Sequence, residues 1–273
     1  MRIESIQNKA AALVVPTLLI AVWQITSAAG WANDHILPSP WAVAQKWLAY
    51  LMPSAPYDPQ EGSWWRWALS GELIADAASS LYRVGLGFLL GAVLAIPLGL
   101  LMGAGRRAYD WLNPMIQVLR PIPPIAYIPL AILWFGLGNP PAVFLISIGA
   151  FFPLLINTIS GVRSVDGIYL RAARNLGAGR VTLFVRVILP AAVPYVLSGV
   201  RIGIGTAFIV VIVSEMIAVN NGLGFRIMEA REYFWSDKII AGMGSIGLLG
   251  LAIDSVVTRI NNYLLRWHRG LEH

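Results

Sequence analysis

The sequence predicts an all-α protein that crosses a membrane about six times. Three observations carry this. Charged residues make up 12% of the 273 positions and hydrophobic ones 57%, whereas a soluble domain carries roughly 25% charge. Pro121–Val162 runs for forty-two residues without a charged side chain, about twice what one helix needs to cross a bilayer. Further apolar stretches, each about one helix long, recur along the chain, more than a soluble protein of this size could bury.

The first stretch covers about residues 10–30. Arg2 and Lys9 precede it as in a secretory leader, but it is too long for a leader's apolar segment, and Ala28-Ala29-Gly30 is a weak cleavage site. It is therefore read as an uncleaved crossing. The second covers about 80–104 and ends at Arg106-Arg107. The third, about 111–135, ends at the turn signal Gly136-Leu137-Gly138-Asn139-Pro140-Pro141. The fourth, fifth and sixth cover about 142–162, 193–218 and 239–258. Residues 1–75 thus form a first crossing plus an external segment, 76–264 a core, and 265–273 a short tail. Leu271-Glu272-His273 resembles a vector-encoded remnant and carries no argument.

Six crossings put both termini on one side. That side collects twelve Lys and Arg residues, the other five, and Arg83, Arg120 and Arg201 lie at or within spans. Positive charge stays cytoplasmic, which places both termini inside. The +6 net charge then belongs to cytoplasmic loops, and no nucleic-acid partner is expected. Residues 31–75 fall outside; Trp41, Trp47, Trp64, Trp65 and Trp67 suit a chain lying at the lipid–water interface. Residues 222–237, also outside, suggest a short amphipathic helix. The chain has no cysteine, and its three histidines show no ligand spacing, so no metal site is expected.

Helices associate in lipid through close contact at small residues. Gly87, Gly91, Ala95, Gly99 and Gly103 recur every fourth residue in the second span. Gly199, Gly203 and Ala207 do so in the fifth, and the sixth carries Gly242, Gly244, Gly247 and Gly250. These rows predict packing faces. The third span cannot be straight, because Arg120-Pro121-Ile122-Pro123-Pro124 removes amide donors and clashes with the preceding turn. Such a break needs protein or a water-filled cavity beside it. It is either a packing kink or a broken helix lining a pathway.

The longest internal loop spans 163–190. Ile168–Leu176 suits a short helix, Gly177 and Gly179 a tight turn, and Arg180–Ile188 a second helix that Pro190 stops. Ala172 and Ala173 leave room for another protein to approach. Together the loop reads as a docking knob.

Here the chain resembles the permease subunits of bacterial ABC importers, whose "EAA" loop reads Glu-Ala-Ala, three residues, Gly, nine residues, an aliphatic, one residue, Leu-Pro. Ala172, Ala173, Gly177, Val187, Leu189 and Pro190 fall in that register, with Arg171 in place of the glutamate. Leu81-Tyr82-Arg83-Val84, Pro97-Leu98-Gly99, Arg120–Pro124, Trp134-Phe135-Gly136, Phe152-Pro153 and Ser214–Ala218 are similar to further blocks of the nitrate/taurine/alkanesulfonate branch. The resemblance implies a type I importer (MetI-like) permease fold with a cytoplasmic coupling helix, in a bacterial inner membrane. It also implies a homodimer, two cytoplasmic ATPase subunits and an external solute-binding protein. No phosphate-binding Gly-x-x-x-x-Gly-Lys-Ser/Thr loop is present, so ATP and Mg are expected on the ATPase and no cofactor on this chain.

Ionisable residues inside a membrane are costly and are functional candidates. Arg83, Arg120, Arg201, Glu215, Pro123 and Pro124 are the candidate pathway or gate residues. Glu215 is expected to pair with Arg120 or Arg226 and close an outer gate, so Glu215→Gln should lower transport while the complex still assembles. Arg201 either faces a cavity and attracts an anion or joins an internal salt bridge. Asp254 is expected to form a helix-end pair with Arg259. The expected function is import of a small anionic solute, not catalysis by this chain. An ATP-independent carrier or channel is the alternative, but it would leave the 163–190 loop unexplained. An intramembrane enzyme would need a convergent nucleophile–base or metal set, which the spans lack.

Overall fold

The computed structural model describes residues 2–31, 33, 35–53, 55–57 and 63–266, with side chains described from Val14 onward. The side chains of Arg2 and Lys9, and all of Arg269 and Leu271–His273, lie outside the described residues. All regular structure among the described residues is helical. The order is α1 (Arg2–Ala28), α2 (Pro40–Leu51), α3 (Trp64–Ala68), α4 (Glu72–Ala104), α5 (Arg106–Leu119), a 3₁₀ turn (Pro124–Tyr127) and α6 (Ile128–Phe135). It continues with α7 (Asn139–Arg163), α8 (Gly167–Asn175), α9 (Arg180–Leu183), a π-helical segment (Phe184–Ile188), α10 (Leu189–Ala218), α11 (Leu223–Glu232) and α12 (Ser236–Leu264).

Four helices are long and apolar enough to cross a membrane: Glu72–Ala104, Asn139–Arg163, Arg180–Ala218 and Ser236–Leu264. A fifth crossing exists if α5 and the Pro124–Phe135 helix form one span, and these meet at 82°. The described apolar part of α1, Val14–Ala28, is shorter. The expected six crossings therefore become four uninterrupted ones, one broken pair and one shorter apolar helix. The sharp bend follows from Pro121, Pro123 and Pro124, which supply no amide hydrogen at the break. Pro123 is extended (φ −65°, ψ 142°), so the chain leaves helix there before restarting.

The chain divides into two compact units. One comprises residues 78–225 and 248–273. Its centre is α7, whose Leu145, Ile146, Ala150, Leu154 and Leu155 are fully or almost fully buried. Val84, Ala92, Ala95 and Met102 of α4 and Ala207 and Val211 of α10 complete this core. The glycine row of α4 works as its spacing predicts. A Cβ at Gly91 would lie 2.7 Å from the Ser147 carbonyl oxygen, at Gly99 2.7 Å from Thr158 Cβ, and at Gly103 2.5 Å from Val162 Cβ. Gly199 approaches Asn157 and Leu154 on the other side of α7 in the same way. In the sixth span the expectation holds only in part, since a Cβ at Gly244 or Gly247 would meet nothing within 4 Å. At the other end of α7, Arg163 stacks over the Tyr109 ring of α5, 3.4 Å from its centroid. Tyr109, Leu112 and Ile116 are the α5 residues that pack on the core.

The other unit comprises residues 1–77 and 226–247. Some of its tryptophans are hydrogen-bonded, while Trp41, Trp64 and Trp65 are exposed. Trp23 Nε1 donates to the Pro38 carbonyl at 3.0 Å, and Trp47 Nε1 to Ser245 Oγ at 2.8 Å. Arg226 is its electrostatic hub, reaching Glu72, Asp76 and Glu229 within 2.9 Å. The Tyr50 hydroxyl donates to Asp76 at 2.6 Å. Burial, and next the neighbouring carboxylate, push its pKa above the usual tyrosine range. Asp76 is thus held by two donors from different helices.

Candidate functional site

Two places in the 78–225/248–273 unit gather the sequence candidates. The first is a buried polar node. Arg83 Nη1 lies 2.6 Å from Glu215 Oε1, with the side chains 2% and 0% exposed. Ser80 Oγ and the Gly224 amide both donate to Glu215 Oε2, at 2.9 and 3.0 Å. Arg83 Nε donates to Asn139 Oδ1 at 2.7 Å, Nη1 to the Asn221 carbonyl at 3.1 Å, and Nη2 to the Asn221 side chain. The node ties together α4, the start of α7, the end of α10 and the turn into α11. Gly222 is required there: its φ is +105°, and a Cβ would fall 2.5 Å from the Glu215 carboxylate. The expected partner of Glu215 is therefore corrected. It is Arg83, while Arg226 serves Asp76, Glu72 and Glu229. Arg120 has no carboxylate partner among the described residues.

Arg201 is resolved in favour of a salt bridge. Its Nε and Nη2 donate to Asp254 Oδ1 and Oδ2 at 2.9 and 3.0 Å, a bidentate pair half-exposed on both sides. Asp254 consequently pairs across helices, not with Arg259 on its own helix. The two residues are fifty-three positions apart, so no helical spacing rule could have joined them.

The second place is a groove along α7, bounded by the break after α5 and by α10. It is made of three cavities in series. The first, about 220 Å³, is apolar and lies among Pro123, Pro124, Ile128, Leu145 and Val213. The second, about 500 Å³, shares Pro123, Pro124, Ile209 and Val210 with it and reaches Asn157, Thr206 and Arg120. The third, about 630 Å³, shares Arg120 and Ile156 with the second and is lined by Tyr109, Asn113, Gln117 and Ser160. From Leu145 to Ser160 along α7 the series spans about 22 Å at 1.5 Å per residue. The broken helix thus borders a groove, not merely a packing kink. Sequence reasoning found Arg120, Pro123 and Pro124 but missed Asn113 and Gln117. Their spacing to Arg120, i, i+4, i+7, was the signal.

The 163–190 loop has the helix–turn–helix form expected of it. Asp166 caps α8, its Oδ1 accepting from the Ile168 amide at 2.8 Å. Gly177, at φ +80°, ends it. The Gly177 amide donates to the Arg174 carbonyl and the Ala178 amide to that of Ala173, at 2.9 and 3.0 Å. This is a Schellman cap, which explains why glycine stands four residues after Ala173. Arg171, Ala172 and Gly177 are exposed and Ala173 is half-buried. One expectation is corrected: Pro190 does not stop the second helix. The helix runs unbroken from Arg180 to Ala218, and Pro190 is the second residue of α10. Val187 lies in the π-helical segment and Leu189 begins α10. A π-turn shifts the hydrogen-bond register, which accommodates a proline that lacks an amide.

Residues 95–270 match the family described as binding-protein-dependent transport system inner membrane component. The chain belongs to this family. The permease is 35% identical to the putative aliphatic sulfonates transport permease SsuC of Bacillus subtilis over 95% of its own length and 88% of the relative's. It is 32% identical to the taurine transport permease TauC of Escherichia coli, over 92% and 87% of the two chains. With the nitrate import permease NrtB of a Synechocystis strain the identity is 33%, over 92% and 88%. These relatives put the permease in the sulfonate, taurine and nitrate branch that the sequence blocks indicate. Its fold is similar to an inward-facing structure of the MetNI methionine ABC transporter, with TM-score 0.61 at 17% identity, covering 72% of the permease and 96% of that chain.

Proposed function

We propose that the permease is the membrane subunit of an ATP-driven importer that takes a small oxyanion, sulfonate- or nitrate-like, from an external binding protein. ATP and Mg act on a separate ATPase. Two copies of the permease enclose the pathway, each contributing its groove. Six crossings keep both termini cytoplasmic. The 163–190 loop is the coupling element, and the Arg83–Glu215 node closes the outer end of the helices.

One observation carries the coupling role. The loop is internally capped at both ends of α8, yet it leaves apolar side chains uncovered. Leu176 is 88% exposed and Tyr169 66%. A segment so firmly shaped but so little buried has the form of a docking surface. Arg171 in place of an acidic residue gives the surface a basic edge beside Arg174.

The experiment compares two glycines of this loop. Gly177→Val forces a β-branched residue to φ +80°, at about 1–3 kcal/mol, and breaks the cap. Gly179 sits at φ −70° with open space around it, so Gly179→Ala is tolerated. The first variant is expected to lose the ATPase on co-purification or lose its stimulation, and the second to retain both. Full stoichiometry and unchanged stimulation with Gly177→Val would remove the loop from the mechanism.

A further inference from the structure

The three arginines expected at or within spans are treated differently by the fold. Arg83 is neutralised by Glu215 and Arg201 by Asp254. Arg120 has neither: among the described residues its guanidinium has no ion-pair or hydrogen-bond partner, and neither cavity that it lines contains a carboxylate. Its backbone caps α5, with its amide bonded to the Ile116 carbonyl at 2.9 Å. The negative end of the α5 dipole therefore favours a cation here without a neighbouring acid. Asn113 and Gln117 precede Arg120 by seven and three residues, which puts all three on one face of α5, and all three line the third cavity.

The geometry points to an oxyanion-binding site in the groove, formed by the Arg120 guanidinium with the Asn113 and Gln117 carboxamides. This deepens the proposed importer reading and rests on it. A planar guanidinium donates in parallel to two oxygens of one sulfonate, nitrate or similar group. The carboxamide N–H groups supply further donors and add no charge. One uncompensated cation in a largely apolar channel matches one negative charge and gives weaker anchorage to a neutral solute. With no carboxylate at hand, the site reads the oxyanion end alone, so an amino-sulfonate and a plain alkanesulfonate are handled alike. Discontinuous helices at mid-membrane commonly border substrate sites for the same reason: helix ends and polar side chains meet there, away from lipid.

The test uses the complete transporter, with ATPase and binding protein, in phosphatidylcholine vesicles. ATP-driven uptake of labelled taurine, ethanesulfonate and nitrate is measured for the wild type, Arg120→Gln and Arg120→Lys. Arg120→Gln is expected to lower uptake of the transported anion by about tenfold or more, the worth of a charge-assisted contact. Assembly and binding-protein-stimulated ATP hydrolysis should persist, and Arg120→Lys should recover part of the uptake. Gln117→Leu should raise the half-saturating concentration more than it lowers the maximal rate. Unchanged uptake in Arg120→Gln overturns the site and leaves the importer reading standing. Failure of Arg120→Gln to assemble makes Arg120 a subunit-interface residue and also overturns the site. Wild-type vesicles that accumulate only uncharged or cationic solutes refute the anion class, and uptake without ATP refutes the importer reading itself.

Discussion

Glu215→Gln is expected to destabilise the permease by about 3–5 kcal/mol, because it leaves a buried guanidinium without its counter-charge. Arg83 and Glu215 are 2% and 0% exposed and 2.6 Å apart. A glutamine can still accept one hydrogen bond from Arg83, but it cannot neutralise it. It also brings an amide N–H₂ into a site where Ser80 Oγ and the Gly224 amide already point donors at the same oxygen. The expectation that transport falls while assembly survives is thereby revised, since a brace this buried affects folding before it affects gating. The double variant Arg83→Met/Glu215→Leu removes both charges and should recover part of the loss. Thermal unfolding of the detergent-solubilised permease, compared across wild type, single and double variants, reads this directly. A single variant with wild-type Tm would show that the node contributes no net stability.

Gly87→Ala should cost about 1–3 kcal/mol by overpacking, while Gly85→Ala, two residues away on the same helix, should be neutral or stabilise by up to about 1 kcal/mol. A Cβ at Gly87 would stand 2.6 Å from both Cβ and Cγ2 of Ile146 and 2.9 Å from the Val143 carbonyl oxygen. Neither neighbour can retreat: Ile146 is β-branched and fully buried, and the carbonyl belongs to the α7 backbone. A Cβ at Gly85 meets nothing within 4 Å. The same substitution therefore tests the packing face against the open face of α4, with helix propensity held constant. Equal Tm values for the two variants would refute close α4–α7 packing.

Several elements were legible in advance because their signals are local. The α4 glycine row announced a packing face, though not that α7 fills it, and Arg120–Pro124 announced that the third span is not straight. Gly177 and Gly179 announced the tight turn after α8. What escaped was non-local or subtle. The partners of Glu215 and Arg201 lie 132 and 53 positions away, and the sequence points to Arg120 or Arg226 for Glu215 when its partner is Arg83. The unbroken passage through Pro190 depends on a π-turn, which has no composition signature. Asn113 and Gln117 were overlooked because α5 was read as part of an apolar span, when it is strongly amphipathic with one polar face.

By itself, then, the sequence determined that the chain is helical and membrane-embedded, roughly where its crossings run, and which family it belongs to. Lipid requires a spanning backbone to satisfy its own hydrogen bonds, and continuous apolar runs of this length do so within each helix, by bonds that follow from the order of residues. Only the tertiary structure decided which charges cancel, which of the span arginines lacks a partner among the described residues, and that the proline break opens onto a groove. Charge pairing and cavities depend on distances between residues remote in the chain, and helix packing alone sets those distances.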